Sequence, residues 1–522
     1  MGKRILVSMF ICIFAVISLT IFAGGRPQGT DPSQPVQLTY WHELNSNLAQ
    51  AVTNFGETEI AKALQEKTNI RVNHIHPAQG AVTEAFNLLL ASGNLPDLIE
   101  FNWLNFTGGP EKAIGDGYIL ALNDLIRDHA PNIRAFLDAN PDIDRMIRTD
   151  EGNYYVIPFI RGDERNMVFF GPMLRRDWLT SLNLQPPTNI AEWETVLRAF
   201  RDQKGATSGI SFLNWHMDVG QMFAGAFDTT HSAFFVREGR IHYGPIEPGY
   251  RAYVETMARW YREGFLDPNF ASMDGSTYDS NILNGRSGAF FGYVGGGMGR
   301  FLNVKQGEGD TSWDLIGVPY PRTANGQLSM ISQMDRAYVP VHSVAISATT
   351  RNPIAAIRYL DFHFSPEGQK LLNYGIEGRS FTMQNGRPVL LDSMLNDPNT
   401  PAAVKLANFV RSTYGGPFVQ EWGFVEQYVA RFPQQREALN NFVQTRASDH
   451  ILPPITPTPQ ESQEIARIMS DIQTYQSEMF LRFVMGVEPL TNFDAYLNQI
   501  ERMGIQRAIE INQAALERYL QR

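Results

Sequence analysis

VQLTYWHELNSN, residues 36–47, starts with five residues that alternate like a strand, Val36 to Tyr40, and then breaks into polar residues behind a Trp41-His42 pair. Alternation at period two suits a strand with one buried face. Downstream, Glu57 to Lys67 is helix-like and Ile70 to Ile75 is a second strand. Thr83 to Ala91 is a helix stopped by Ser92-Gly93, and Pro96 to Phe101 is a third strand. This β-α-β-α-β order predicts an open α/β sheet.

The same grammar recurs. Pro186 to Asn189 punctuates and caps a helix with Trp193, Val196, Leu197 and Phe200 on one face, and residues 248–264 form a second amphipathic helix ended by Gly264. Ser287 to Tyr293 reads as a strand entering a glycine cluster, Gly292 to Gly299. After residue 459 the pattern is helical to the end, with Ile465, Ile468, Ile472 and Tyr475 at helical spacing. Asn352-Pro353 starts a helix with Ile354, Ile357, Leu360 and Phe364 inward, and Ser365-Pro366-Glu367 starts another that meets Gly375 as a left-handed cap. Tyr374, Glu377, Arg379 and Phe381 then fall on irregular backbone, where side chains are free to face a ligand.

Composition narrows the function. The 522 residues are 43% hydrophobic, enough for large cores, and carry 44 basic against 54 acidic side chains for a formal charge of −10. With no basic run beyond the first four residues, nucleic acid is not an expected partner. Lys3-Arg4, an apolar run from Ile5 to Phe22 and Ala23-Gly24-Gly25 read as a secretory signal over residues 1–25, although the run also suits an uncleaved anchor. Residues 26–35 read as a flexible leader. Cys12, the only cysteine, follows Phe10-Ile11 inside the run, so neither a lipid anchor nor a disulfide framework is expected.

Catalytic motifs are sparse. The glycine cluster lacks the Lys-Ser/Thr of a phosphate loop, and it reads equally as a plain loop or as a place where backbone amides approach a bulky polar ligand. His74 and His76 share a strand end, but two histidines are a weak metal signal and the pair reads as non-ligating. Rings are more telling, because Trp41, Trp103, Trp215 and Tyr293 follow strand ends or lie in loops, and ligands of open α/β sheets bind outside the carboxyl ends of strands. A sugar accounts for rings interleaved with Asn, Glu and Arg, since its C–H patches stack on ring faces while its hydroxyls need paired donors and acceptors.

YGIEGRSFT, residues 374–382, resembles the YGIEG-x-x-aromatic-T signature of the long branch of family 1 extracellular solute-binding proteins, the receptors of carbohydrate ABC importers. GNLPDLIEF, RRDWLTSLNLQPPTNIAEWETVLRAF and NPIAAIRYLDFHFSPEGQKLLNYGIEG agree with it, and the likeness spans nearly the whole chain after the signal. The resemblance implies an α/β, two-lobed periplasmic-binding-protein-like fold of type II, each lobe an open sheet flanked by helices, with extra C-terminal helices. Lobe one would hold residues 36–158 and about 337–395, and lobe two residues 159–336 and about 396–522.

It also implies an oligosaccharide ligand held between the lobes and delivered to ABC permease subunits in the membrane, with the protein monomeric and periplasmic. Relatives carry an acidic calcium loop where this chain reads RDQKGATSG, residues 201–209, with only Asp202 acidic, so no metal or cofactor is assigned. Trp41, Trp103, Trp215, Tyr293, Tyr374 and Phe381 are the candidate stacking rings, and Asn45, Asn102, Glu377 and Arg379 the candidate polar contacts. Arg379 suits a uronate carboxylate, or equally a brace for Glu377 or the helix end. No catalytic residue is assigned, and a secreted glycoside hydrolase or polysaccharide lyase, or a sugar-sensing receptor, remain the alternatives.

Overall fold

The computed structural model describes residues 35–522, so the expected signal, Cys12 and nearly all of the leader lie outside the described residues. The first sheet is built on three parallel strands: β1 (Val36–Trp41) lies between β2 (Ile70–Ile75) and β3 (Leu98–Glu100). Local chemistry sets the connecting helices, as the β-α-β-α-β pattern requires. Thr58 caps helix Glu59–Thr68 by accepting from the Ala61 amide, and Asn69 ends it in the left-handed region at φ 52°. Gly93, at φ 66°, ends helix Val82–Ser92 in the same way.

The chain then leaves and re-enters this sheet. β4 (Ile157–Arg161) closes the first pass, and the second sheet takes over with β5 (Phe170–Arg175), β6 (Ile210–Ser211), β9 (Ala289–Tyr293) and β10 (Leu315–Gly317), in the order β10-β5-β9-β6. A hairpin of β7 (Phe234–Arg237) and β8 (Arg240–Tyr243) stands apart. β11 (Tyr338–Ile346) returns antiparallel between β3 and β4, a second hairpin follows as β12 (Phe381–Gln384) and β13 (Arg387–Leu390), and β14 (Val419–Gln420) adds at the edge, parallel to β4. The first sheet therefore runs β14-β4-β11-β3-β1-β2. Each sheet has its own apolar core, and both are flanked by helices: an α/β fold of two sheets joined by three crossings, near residues 162–169, 318–337 and 421–432.

Several expectations need correction. The sequence reading gave residues from about 396 to the second lobe, yet β14 pairs with Ile160 and Arg161 of the first sheet. Burial explains it: Leu406, Phe409 and Val410 pack against Tyr374 and Phe381, and Asn408 receives the Glu59 and Ile60 amides from the first helix. Asn352 makes no side-chain cap, and Ile354 is 43% exposed rather than inward. Gly375 has the expected positive φ of 85°, but its ψ of −136° is not the left-handed helical value. The glycine cluster is not a loop, because Val294–Gly299 forms a wide helical turn running into helix Arg300–Gly307, with Val294, Met298 and Phe301 buried.

The helices after residue 459 belong with the second sheet. Thr458 and Glu461 form a reciprocal capping box at the start of helix Pro459–Val484, which buries Ile468 and Ile472 alongside Tyr250 and Tyr253. Helix Phe493–Arg502 and helix Ile505–Tyr519 complete that layer.

Candidate functional site

Where the crossings meet, backbone and side chains lace them together. Gly162 donates its amide to the Gln420 carbonyl at 3.0 Å, and a Cβ on Gly162 would meet Val419 at 2.8 Å. Gln333 Oε1 accepts from the Phe169 and Phe170 amides at 2.8 and 3.2 Å. Beside this joint lies a cavity of about 320 Å³, lined by Arg161, Asn166, Phe169, Tyr293, Thr413 and Gln420 among others. Thr413 faces it, while its neighbour Tyr414 lines a second cavity of about 490 Å³ at the carboxyl ends of β1, β2 and β3.

The second cavity has a polar wall. Asn45, following β1, and Asn102, following β3, both line it, and each also holds its own loop: Asn45 Oδ1 accepts the Asn47 amide at 3.0 Å, and Asn102 Oδ1 the Leu104 amide at 3.2 Å. Glu100 forms the floor. Its Oε2 accepts from Tyr40 Oη at 2.6 Å and from Arg411 Nη2 at 2.8 Å, while His342 Nδ1 stands 3.3 Å from Oε1. Burial alone would raise the Glu100 pKa, but Arg411, then His342 and Tyr40, reverse this and leave it below the ordinary value. The carboxylate is therefore ionised and fixed in place.

Behind it sit three histidines. His42 Nε2 meets His74 Nδ1 at 2.9 Å, and His76 is spent on backbone, with Nδ1 2.8 Å from the His42 carbonyl and Nε2 3.0 Å from the Phe55 amide. Their nitrogens are turned on one another and on the chain, and among the described residues no group of three or more His, Cys, Asp or Glu is placed to hold a metal. Burial is the first cause of the lowered pKa of all three, with His74 at about 3. Asp202, the lone acid of residues 201–209, pairs with Arg201 at 2.7 Å.

The second sheet supplies an aromatic wall. Trp215, beyond β6, is 45% exposed and lies 5.9 Å, ring to ring, from Tyr293 at the end of β9. Phe169 stacks on the other side of Tyr293 at 5.9 Å. His216 braces Trp215 edge-on at 4.2 Å, and burial pushes its pKa down to about 4.

Of the ten residues singled out by sequence, Asn45 and Asn102 line the cavity at the strand ends, Tyr293 lines the cavity at the joint, and Trp215 lies beside Tyr293 without lining either. Trp41 and Trp103 are core: 4% and 1% exposed, they pack against Phe86, and Trp103 Nε1 donates to the Ile99 carbonyl. The 374–381 corner is not part of either cavity. Tyr374 and Phe381 are buried together with Phe424, while Glu377 and Arg379 are exposed along a separate groove beside helix Glu59–Thr68. Arg379 is tied to Glu59 at 2.5 Å and lies over the Phe409 ring, so the partner it braces is Glu59 at the start of the first helix, not Glu377 or the end of its own helix. Sequence reasoning missed Glu100, His342, Arg161, Asn166 and Gln420. Only a strand-end position hinted at Glu100; the others come together through pairings hundreds of residues apart.

Two sheets joined by three crossings, with a polar wall and an aromatic wall at the joint, define a two-lobed binding protein. The chain belongs to the bacterial extracellular solute-binding protein family, matched over residues 52–370. It is similar to the fructooligosaccharide ABC transporter substrate-binding protein FusA of Streptococcus pneumoniae, 20% identical over 89% of this chain and 87% of the relative. Among solved structures it resembles the alginate-binding protein AlgQ2, at a TM-score of 0.68 and 24% identity over 93% of this chain and 98% of that one. An HMO-binding, ABC-transporter-associated solute-binding protein of Bifidobacterium longum infantis gives a TM-score of 0.71 at 17% identity over 93% of this chain and 99% of that one. The family is extracytoplasmic, and no helix among the described residues is long and apolar enough to cross a membrane.

Proposed function

We propose that the protein is a periplasmic, non-enzymatic receptor that captures an oligosaccharide between its two sheets and hands it intact to an ABC import permease. The observation that carries this reading is a pair of features: the half-exposed Trp215 ring beside Tyr293, which lines the cavity at the joint, and a second cavity lined by Asn45, Asn102 and Glu100 at the strand ends. Named sugar binders such as FusA support the class of ligand. The energies suffice: ring contacts contribute about 0.5 to 1.5 kcal/mol each beyond area burial, and hydrogen bonds to charged groups about 1.5 to 3 each. A micromolar complex needs about −8 kcal/mol.

Function follows from closure. A sugar that touches both walls binds the closed arrangement more tightly than the open one and shifts the population toward it, and the closed form is the one the permease reads. The Glu100 carboxylate, spent on Arg411 and Tyr40, is an orienting acceptor for sugar hydroxyls rather than an acid or base. Calorimetry combined with small-angle scattering tests the reading: a saccharide that binds should shrink the particle and be recovered uncleaved. Binding with no change in scattering, or release of shorter sugars, would overturn it.

A further inference from the structure

We propose, resting on the saccharide-receptor reading above, that this cleft selects uncharged sugars and excludes uronates. Two independent observations point there, one from the cations and one from the acceptors.

The cations are already spent. Among the described residues lining the two cavities, the basic side chains besides His342 are Arg161 and Arg165, with no lysine. Arg161 pairs with Asp335 at 3.2 Å, donates to the Asn166 carbonyl at 3.1 Å, and lies over the Phe169 ring. Arg165 grips Asp163 through two bonds of 2.8 and 2.7 Å and lies over the Trp422 ring at 4.2 Å. Both guanidiniums thus have a carboxylate on the edge and an aromatic on the face; the buried Arg161 Nε has no partner, but a single N–H is not the paired fork that grips a carboxylate. Arg411 is committed to Glu100 beneath the floor, and Arg336, whose buried Nη2 has no partner, lines neither cavity. Glu43, by contrast, lines the polar wall as an exposed acid. A uronate entering here would meet like charge at Glu43 and no guanidinium with a paired fork open to it.

The acceptors are unfilled. Asn166 Nδ2 donates to the Gln420 carbonyl at 3.1 Å, and Gln420 Nε2 donates to the Ser412 carbonyl at 2.8 Å. Because a carbonyl only accepts, both amides are locked in one orientation, and their oxygens must be Asn166 Oδ1 and Gln420 Oε1. Neither oxygen has a hydrogen-bond partner, and neither does Thr413 Oγ1 nearby. All three residues line the 320 Å³ cavity. Two acceptor-only oxygens and a hydroxyl call for ligand donors. Sugar hydroxyls donate, whereas a carboxylate replaces a donor with an acceptor.

Isothermal calorimetry on the protein tests this with two panels of equal length: neutral trisaccharides (kestose, maltotriose, xylotriose and mannotriose) against trigalacturonate and trimannuronate. At least one neutral sugar should bind, and both acidic ones should bind about 100-fold more weakly or not at all. Asp335→Asn, which frees Arg161, should raise affinity for trigalacturonate at least about tenfold; Asp163→Asn, which frees Arg165, is the second variant should the first fail to fold. Acidic sugars binding the unaltered protein as well as neutral ones would overturn the selectivity while leaving the receptor reading intact. Heat from neither panel would count against saccharide capture itself.

Discussion

Two polar regions near the crossings differ in saturation. The corner at residues 374–381 satisfies itself: Ser380, fully buried, takes the Ile376 amide at 2.7 Å and bonds the Tyr374 carbonyl at 2.7 Å, and Tyr374 Oη donates to Glu421 at 3.1 Å. Gly375 is required there because a Cβ would collide with Ser380 Oγ. The joint at Asn166, Thr413 and Gln420 instead keeps acceptors without partners. A closed polar network is architecture, whereas unpartnered polar groups on residues that line a cavity are the ones a ligand could use. Substitutions in the first should therefore cost stability, and in the second affinity.

Acid should cost the fold most. Burial pushes His74 and His363 down to about 3 and His216 to about 4, so they stay neutral in the folded protein while the unfolded chain protonates near the ordinary 6.5. The folded state then binds fewer protons below that value, and stability falls with falling pH by up to about 1.4 kcal/mol per unit for each histidine. Urea denaturation between about pH 7 and pH 5 should register it, and a flat profile would contradict the neutral, buried assignment.

Arg411→Met removes one partner of the Glu100 pair and strands a buried carboxylate, so a loss of about 3 to 5 kcal/mol is expected in the same assay. Ser380→Ala should cost about 1 to 3 kcal/mol and leave saccharide affinity unchanged, since the corner lies outside both cavities. Affinity lost in step with stability would bring the corner back into the site.

On the unsaturated side, Trp215→Ala should weaken sugar binding by about 1 to 2 kcal/mol with little change in unfolding midpoint, because the ring is already half exposed. Thr413→Val sharpens the contrast most: deleting a hydroxyl without a partner should leave stability level or slightly raised, yet lower affinity by about fivefold. Arg379→Ala should do least, under about 1 kcal/mol in stability and nothing in binding, as befits an exposed pair with Glu59.

Half of the binding walls was legible in sequence, and the halves divide by physics. Asn45, Asn102, Trp215 and Tyr293 sit just beyond strand ends or in the loop after one, which local patterning locates. Trp41 and Trp103 satisfy the same positional rule yet are core, because Phe86 of the intervening helix covers both rings, and no local pattern says which side of a strand end a ring takes. The YGIEG motif carries the family resemblance, and its Gly375 and Glu377 line a separate groove rather than the two cavities.

By itself the sequence determined the elements: alternation, caps at Thr58 and Asn189, and breaks at Gly93 and Gly264 are short-range, and they specify an α/β chain whatever lies across from it. Only the tertiary structure decided which polar groups remain free. Whether Arg161 can receive a ligand depends on Asp335, whether Gln420 keeps an open side-chain oxygen depends on the Ser412 carbonyl, and whether Asn166 does depends on the Gln420 backbone carbonyl. Hydrogen-bond saturation is a property of three-dimensional neighbours, and those neighbours meet only when the chain has crossed to its second sheet and returned.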